Sequence, residues 1–129
     1  MIAVDASAIL AIVFQEDDVA IFEAALAGAG GGVISAVDYW EVLTRARGKH
    51  GRHGADLVEA LLAQMRVQVV AVDATIARAA VTASERFKGR AGGRLNLGDC
   101  FAYALAAKEG DGLLYKGNDF PKTDVKSVL

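Results

Sequence analysis

Cysteine and proline each occur once in this 129-residue sequence and histidine only twice, and each scarcity closes off a class of protein. A lone Cys100 has no partner for an internal disulfide, and no Cys/His cluster has zinc-ligand spacing, so the fold must rest on its own core. The apolar run from Ala6 to Phe14 falls far short of the roughly 20 residues that span a bilayer, and the opening Met-Ile-Ala-Val-Asp carries no basic leader region. A cytoplasmic protein with no membrane partner is expected. With 53% hydrophobic and 23% charged residues, the composition is far from that of disordered chains, and its length suits one domain over 1–129.

Lys and Arg are also missing locally. Residues 1–38 carry six acids and no base, while residues 39–129 carry ten acids and all fourteen bases. Eight of those bases fall in two stretches, Arg45 to His53 and Arg86 to Arg94, which also hold both histidines. Such clusters suit a phosphate-rich partner, although cations at helix C-termini and in solvated loops produce the same pattern.

Along the chain, short apolar runs alternate with longer helical patterns. Ile2–Val4 reads as a strand ending at Asp5, followed by a helix from Ala6. A second helix is expected over Asp17–Ala27, ended by the glycines from Gly28 to Gly32, and a second strand at Val33–Ser35. Helix resumes near Val37, with Val37, Trp40, Leu43 and Thr44 read as its apolar stripe, and again from His53 to Met65. Val67–Val72 is the clearest β-branched run. Helices over Asp73–Phe87 and Leu97–Glu109, a short run Leu113–Tyr115 and a terminal run Val125–Val128 complete the pattern. Strands that alternate with helices predict an α/β fold: a three-layer α/β/α sandwich with a central parallel sheet, Rossmann-like in its layering.

Open parallel sheets build their sites beyond the carboxyl ends of the strands, and four acids fall there. Asp5 ends the first strand; Glu41 lies one to two turns into the helix after the second; Asp99 sits in the first turn of the helix opening at Leu97; Asp119 follows the later strand through Lys-Gly-Asn118. Each has an ordinary reading as a cap, an ion-pair partner of Arg45, or a turn residue. Jointly, four acids at one edge would repel by roughly 4 kcal/mol per pair at ~4 Å unless a cation sat among them. Oxygen donors without Cys or His favour Mg²⁺ or Mn²⁺ over zinc. Ser7 is placed either to orient a carboxylate or a metal-bound water, or to bond the helix backbone. Cys100, among Phe101, Ala104 and Leu105, reads as a buried hydrophobe, and Gly28–Gly32 lacks the strand-loop-helix context of a phosphate loop.

Four blocks of the chain resemble the PIN-domain ribonucleases, specifically the VapC-type toxins of prokaryotic toxin-antitoxin modules. These are Met-Ile-Ala-Val-Asp5-Ala-Ser7-Ala-Ile-Leu, Ser35-Ala-Val-Asp-Tyr-Trp-Glu41-Val-Leu, Arg94-Leu-Asn-Leu-Gly-Asp99-Cys-Phe-Ala-Tyr-Ala-Leu-Ala and Leu113-Leu-Tyr-Lys-Gly-Asn118-Asp119-Phe, the third being the most specific. The resemblance implies a PIN-like α/β/α fold and a metal-dependent endoribonuclease using Mg²⁺ or Mn²⁺. It places Asp5, Glu41, Asp99 and Asp119 in the acidic quartet, with Glu41 acting directly or through a water, and Ser7, Asn118 and Asp124 in supporting positions. It departs at Ala6, where many relatives carry Thr or Ser. A cognate antitoxin and a homodimer are likewise implied, and Arg45, Arg90 and Arg94 would meet the RNA backbone. The competing reading is a non-catalytic PIN-like protein that binds RNA or a partner.

Overall fold

The structure is a computed structural model, and it describes residues 1–88 and 95–129. Arg90 and Arg94 lie outside the described residues. Four strands, β1 (Ala3–Val4), β2 (Gly32–Ser35), β3 (Val67–Val70) and β4 (Leu113–Leu114), form one sheet in the order β3-β2-β1-β4, parallel at every pairing. Helices α1 (Ala6–Val13) and α2 (Val19–Ala29) connect β1 to β2; α3 (Ala36–His50) and α4 (Gly54–Met65) connect β2 to β3; α5 (Ala74–Arg86) and α6 (Leu97–Glu109) precede β4.

Side-chain alternation along the strands divides the core into two layers. Ile2, Val4, Ile34 and Leu114 pack with Ile9, Ile12, Phe22, Leu26, Val42, Val58 and Leu62 from the first four helices. Their strand neighbours Ala3, Val33 and Leu113 point the other way, onto Ile76, Ala80, Ala102 and Leu105 of α5 and α6. Both faces of the sheet are therefore covered, giving the expected three layers.

Several expectations need correction. The α2 helix runs through Gly28 to Ala29 and stops only at Gly30, which takes the left-handed conformation at φ 73°. Glycine is required at Gly31: its φ is +109°, and a Cβ there would stand 2.2 Å from the Arg66 carbonyl oxygen. The buried stripe of α3 is Asp38, Val42 and Ala46, not Val37, Trp40, Leu43 and Thr44. Trp40 is 66% exposed, because hydrophobic identity misled where the i, i+4, i+8 geometry of the packed face decides. The terminal run forms only a bridge, Leu113 to Ser127, extended by the Leu113 N–H to the Lys126 carbonyl at 2.9 Å. Among the described residues, no helix is long and apolar enough to cross a membrane.

Candidate active site

The chain builds outward from β1 to β2 and β3, then returns to place β4 on the other side of β1. That reversal creates a topological switch point at the carboxyl ends of β1 and β4. Asp5 follows β1 there, and its backbone N–H donates to the Leu114 carbonyl at 2.9 Å. Asp5 is also the N-cap of α1: its Oδ2 accepts from the Ser7 N–H at 3.0 Å and from the Ser7 hydroxyl at 2.5 Å. The same hydroxyl accepts from the Lys116 N–H at 2.9 Å, so Ser7 joins Asp5 to the segment leaving β4. The Ser7 hydroxyl thus orients a carboxylate, while the backbone group it bonds belongs to the segment after β4 and not to the helix.

Asp99 is held by a capping box at the start of α6. Asn96 Oδ1 accepts from the Asp99 N–H at 2.8 Å, and Asp99 Oδ2 accepts from the Asn96 N–H at 3.0 Å. Glu41 is half-buried on α3, and Asp119 is exposed in the bend that follows β4, next to the exposed Asn118.

A fifth acid belongs to this edge, and sequence reasoning missed it. Asp38 is 0% exposed, with its Oδ2 accepting from the Ser35 hydroxyl at 3.0 Å. Ser35 caps α3 in turn, its oxygen accepting from the Asp38 N–H at 3.0 Å. The available signal was spacing: Asp38 lies one turn before Glu41, on the same side of the helix.

Burial and mutual repulsion push Asp5, Asp38, Glu41 and Asp99 upward. Asp38 rises to about 9, first through desolvation and then through the charges of Asp5, Glu41 and Asp99, against the Ser35 bond. Asp99 rises to about 7, first through desolvation and then through Asp5, Asp119 and Glu41, opposed by the Asn96 N–H. Asp5 is raised chiefly by burial, with Ser7 opposing; Glu41 is raised by burial and Asp5, with Arg45 opposing. Asp119 acts on Asp5, Asp5 on Glu41, and Asp5, Asp119 and Glu41 all on Asp99, so the four sequence-derived acids lie near one another at this edge.

Among the described residues, no three acidic, His or Cys side chains stand within ligating reach of one point, so the acids form a coupled ring rather than a closed coordination shell. A hard divalent cation nevertheless fits the donors. They are all oxygens, and burial together with the neighbouring carboxylates disfavours their charged forms, which a cation would relieve. Asp38 Oδ1, moreover, is buried without a hydrogen-bond partner among the described residues.

Asp124 is committed to Arg86 at 2.8 Å and to the Tyr103 hydroxyl at 2.5 Å, which ties the C-terminal segment to α5 and α6. That ion pair also occupies Arg86, one of the bases in the second cluster. Arg45 is exposed on α3, one turn beyond Glu41. Cys100 is buried and its thiol is pushed up by desolvation and Asp99, which suits a core residue rather than a nucleophile.

Residues 2–126 match the PIN domain family. The chain is 40% identical over 126 residues to a protein of Mycolicibacterium smegmatis named ribonuclease VapC, covering 97% of this chain and 98% of that one. It is 40% identical over 126 residues to ribonuclease VapC42 of Mycobacterium tuberculosis, covering 95% of each. Against ribonuclease VapC30 of the same organism the identity is 37% over 126 residues, covering 97% of this chain and 96% of the relative.

Proposed function

The chain belongs to the VapC ribonucleases of the PIN-domain family, and from that premise we propose that it hydrolyses RNA phosphodiester bonds at the carboxyl edge of β1 and β4, with Asp5, Glu41, Asp99 and Asp119 holding Mg²⁺ or Mn²⁺. It is a toxin endoribonuclease of a toxin-antitoxin module, acting in the cytoplasm as one PIN domain over 1–129. The observation that carries the reading is the coupling of these acids at the switch point, two of them nearly buried, with pKa values raised as uncompensated carboxylates require. A divalent cation, when bound, supplies acidification of the attacking water and neutralises charge developing on the phosphate.

The protein's own residues then divide the remaining work. Ser7 fixes the Asp5 carboxylate, and Asn96 fixes that of Asp99, so neither ligand has to be ordered when a cation arrives. Asn118 supports the turn that carries Asp119. Arg45, Arg90 and Arg94 meet RNA phosphates, which gives affinity with little sequence choice. A cognate antitoxin covers the acidic edge, and the toxin pairs as a homodimer.

The test is cleavage of total RNA with mapping of the ends, with and without EDTA. Cleavage that EDTA abolishes, that Mn²⁺ restores and that Asp99→Asn lacks is the expected result. The Asn variant keeps an oxygen for the Asn96 N–H, so it should retain the helix start while losing a ligand charge. Cleavage indifferent to EDTA would remove the cation from the mechanism, and full turnover by Asp99→Asn would remove Asp99 from its ligands.

A further inference from the structure

Asp38 has one oxygen in use and one to spare. Asp5 and Asp99 each have Oδ2 fixed by a neighbouring Ser or Asn, and Asp38 repeats the arrangement with Ser35. What sets Asp38 apart is Oδ1, which is fully buried and has no hydrogen-bond partner among the described residues. Leaving a buried carboxylate oxygen unsatisfied costs more than an ordinary lost hydrogen bond, so a partner outside the chain is the natural expectation. The direction in which it points is defined by Gly98. A Cβ built on Gly98 would lie 2.9 Å from Asp38 Oδ1 and 2.9 Å from Glu41 Oε1, so both oxygens border one small gap at the start of α6. That gap lies one residue before Asp99.

We propose that Asp38 is a further cation-holding residue of this site, its Oδ1 and Glu41 Oε1 presenting a pair of hard oxygens across the gap that Gly98 leaves open. The proposal rests on the cation reading of the acidic edge and extends it from four carboxylates to five. A helix-capping role explains only half of Asp38. The third helical position after a Ser cap is a common place for an acid, but such acids face solvent or bond the cap's own backbone, whereas this one is 0% exposed and takes the Ser35 hydroxyl. Capping therefore accounts for Oδ2 and leaves Oδ1 unexplained. Asp38 lies on the same face of α3 as Glu41, so a cation drawn to Glu41 meets Oδ1 without movement of the helix.

Calorimetric titration with Mn²⁺ alone, in the absence of RNA, provides the readout, applied to the wild-type chain, Asp38→Asn and Gly98→Ala. Asp38→Asn keeps the shape of the side chain and an acceptor for Ser35 while removing the charge. Mn²⁺ affinity is expected to fall by at least about tenfold, the scale seen when groups around a metal site are lost. In metal-free buffer the same variant should melt no lower than wild type. Gly98→Ala removes no carboxylate but fills the gap and presses on Asp38 Oδ1 and Glu41 Oε1, and it should weaken Mn²⁺ binding as well. If Asp38→Asn binds Mn²⁺ as wild type does, the proposal is overturned while the four-acid reading stands. If wild type itself binds no Mn²⁺, the cation reading and the proposal fall together. Should Asp38→Asn fail to fold, Gly98→Ala decides: undiminished affinity there overturns the proposal.

Discussion

Ser7 does for Asp5 what Asn96 does for Asp99: each presents a short polar group to one carboxylate oxygen and so fixes the direction of the other. Ser7 carries the heavier duty, because its hydroxyl donates to Asp5 and accepts from the Lys116 N–H, joining the two segments that flank the switch point. Its neighbour Ala6 is buried and lacks a hydroxyl, so no other side chain in that turn can substitute. Ser7→Ala should therefore cost about 1–3 kcal/mol of stability, the scale for leaving a partly buried polar group unpaired. RNA cleavage should drop about 10–100-fold, since a ligand's orienting partner is lost. Denaturant midpoints and single-turnover cleavage rates measure the two effects separately. A stability loss with unchanged cleavage would make Ser7 a fastener of β1 to β4 and nothing more.

At the scale of elements, the site is assembled by helix starts. Asp5, Ser35 and Asn96 each cap the helix that follows, and each cap fixes an acid of the site in or beside the first turn. This is why so much of the site was legible: an apolar run ending in Asp, and an Asn three residues before Asp99, are local patterns that survive without a structure. Asp38 was not legible in the same way. Its burial depends on which face of α3 meets α1 and α6, and the apolar Val37, Trp40 and Leu43 advertised a face that tertiary packing buries only in part, with Trp40 exposed. The strands show the same division. Val67–Val72, the clearest β-branched run, forms only the edge strand Val67–Val70 with Gln68 and Val69 exposed, whereas the interior β1, Ala3–Val4, was marked by its apolar run ending at Asp5 and not by periodicity. The connection from α5 to α6 carries Arg90 and Arg94, and their proposed contact with RNA phosphates has a measurable signature. Replacing both with Ala should weaken RNA binding across sequences and make the slope of log affinity against log salt shallower by roughly 0.7 per lost contact. Titration at several salt concentrations, in the cleavage-dead Asp99→Asn background, tests this. An unchanged slope would leave both arginines without a part in RNA binding.

For the whole molecule, the formal charge of −2 matters less than where the acids lie. Asp38 is raised to about 9 and Asp99 to about 7, desolvation being the first cause of both, and Asp5 and Glu41 are raised in the same direction. The folded protein therefore keeps protons that the unfolded chain releases near the ordinary carboxylate value. Stability from these groups is fully present below that value and is lost as pH rises toward 7 and then 9. Opposing this, Asp124 is lowered by the Tyr103 hydrogen bond and Arg86, and Asp111 by the N-terminal ammonium, so their contribution is lost only at strongly acidic pH. Both are exposed and contribute little against the buried set. The metal-free protein should thus melt lower at pH 9 than at pH 6, by at least about 5 °C on the scale that links free energy to midpoint in domains of this size. A divalent cation does the same electrostatic work as the protons it displaces and binds the folded state, so saturating Mn²⁺ should raise the midpoint most at the alkaline end and flatten the dependence. Thermal denaturation across that pH range, with EDTA and with Mn²⁺, measures both slopes. A midpoint that climbs with pH in EDTA, or one that Mn²⁺ leaves untouched at pH 8 and above, would contradict the account of the acidic edge as a store of uncompensated charge.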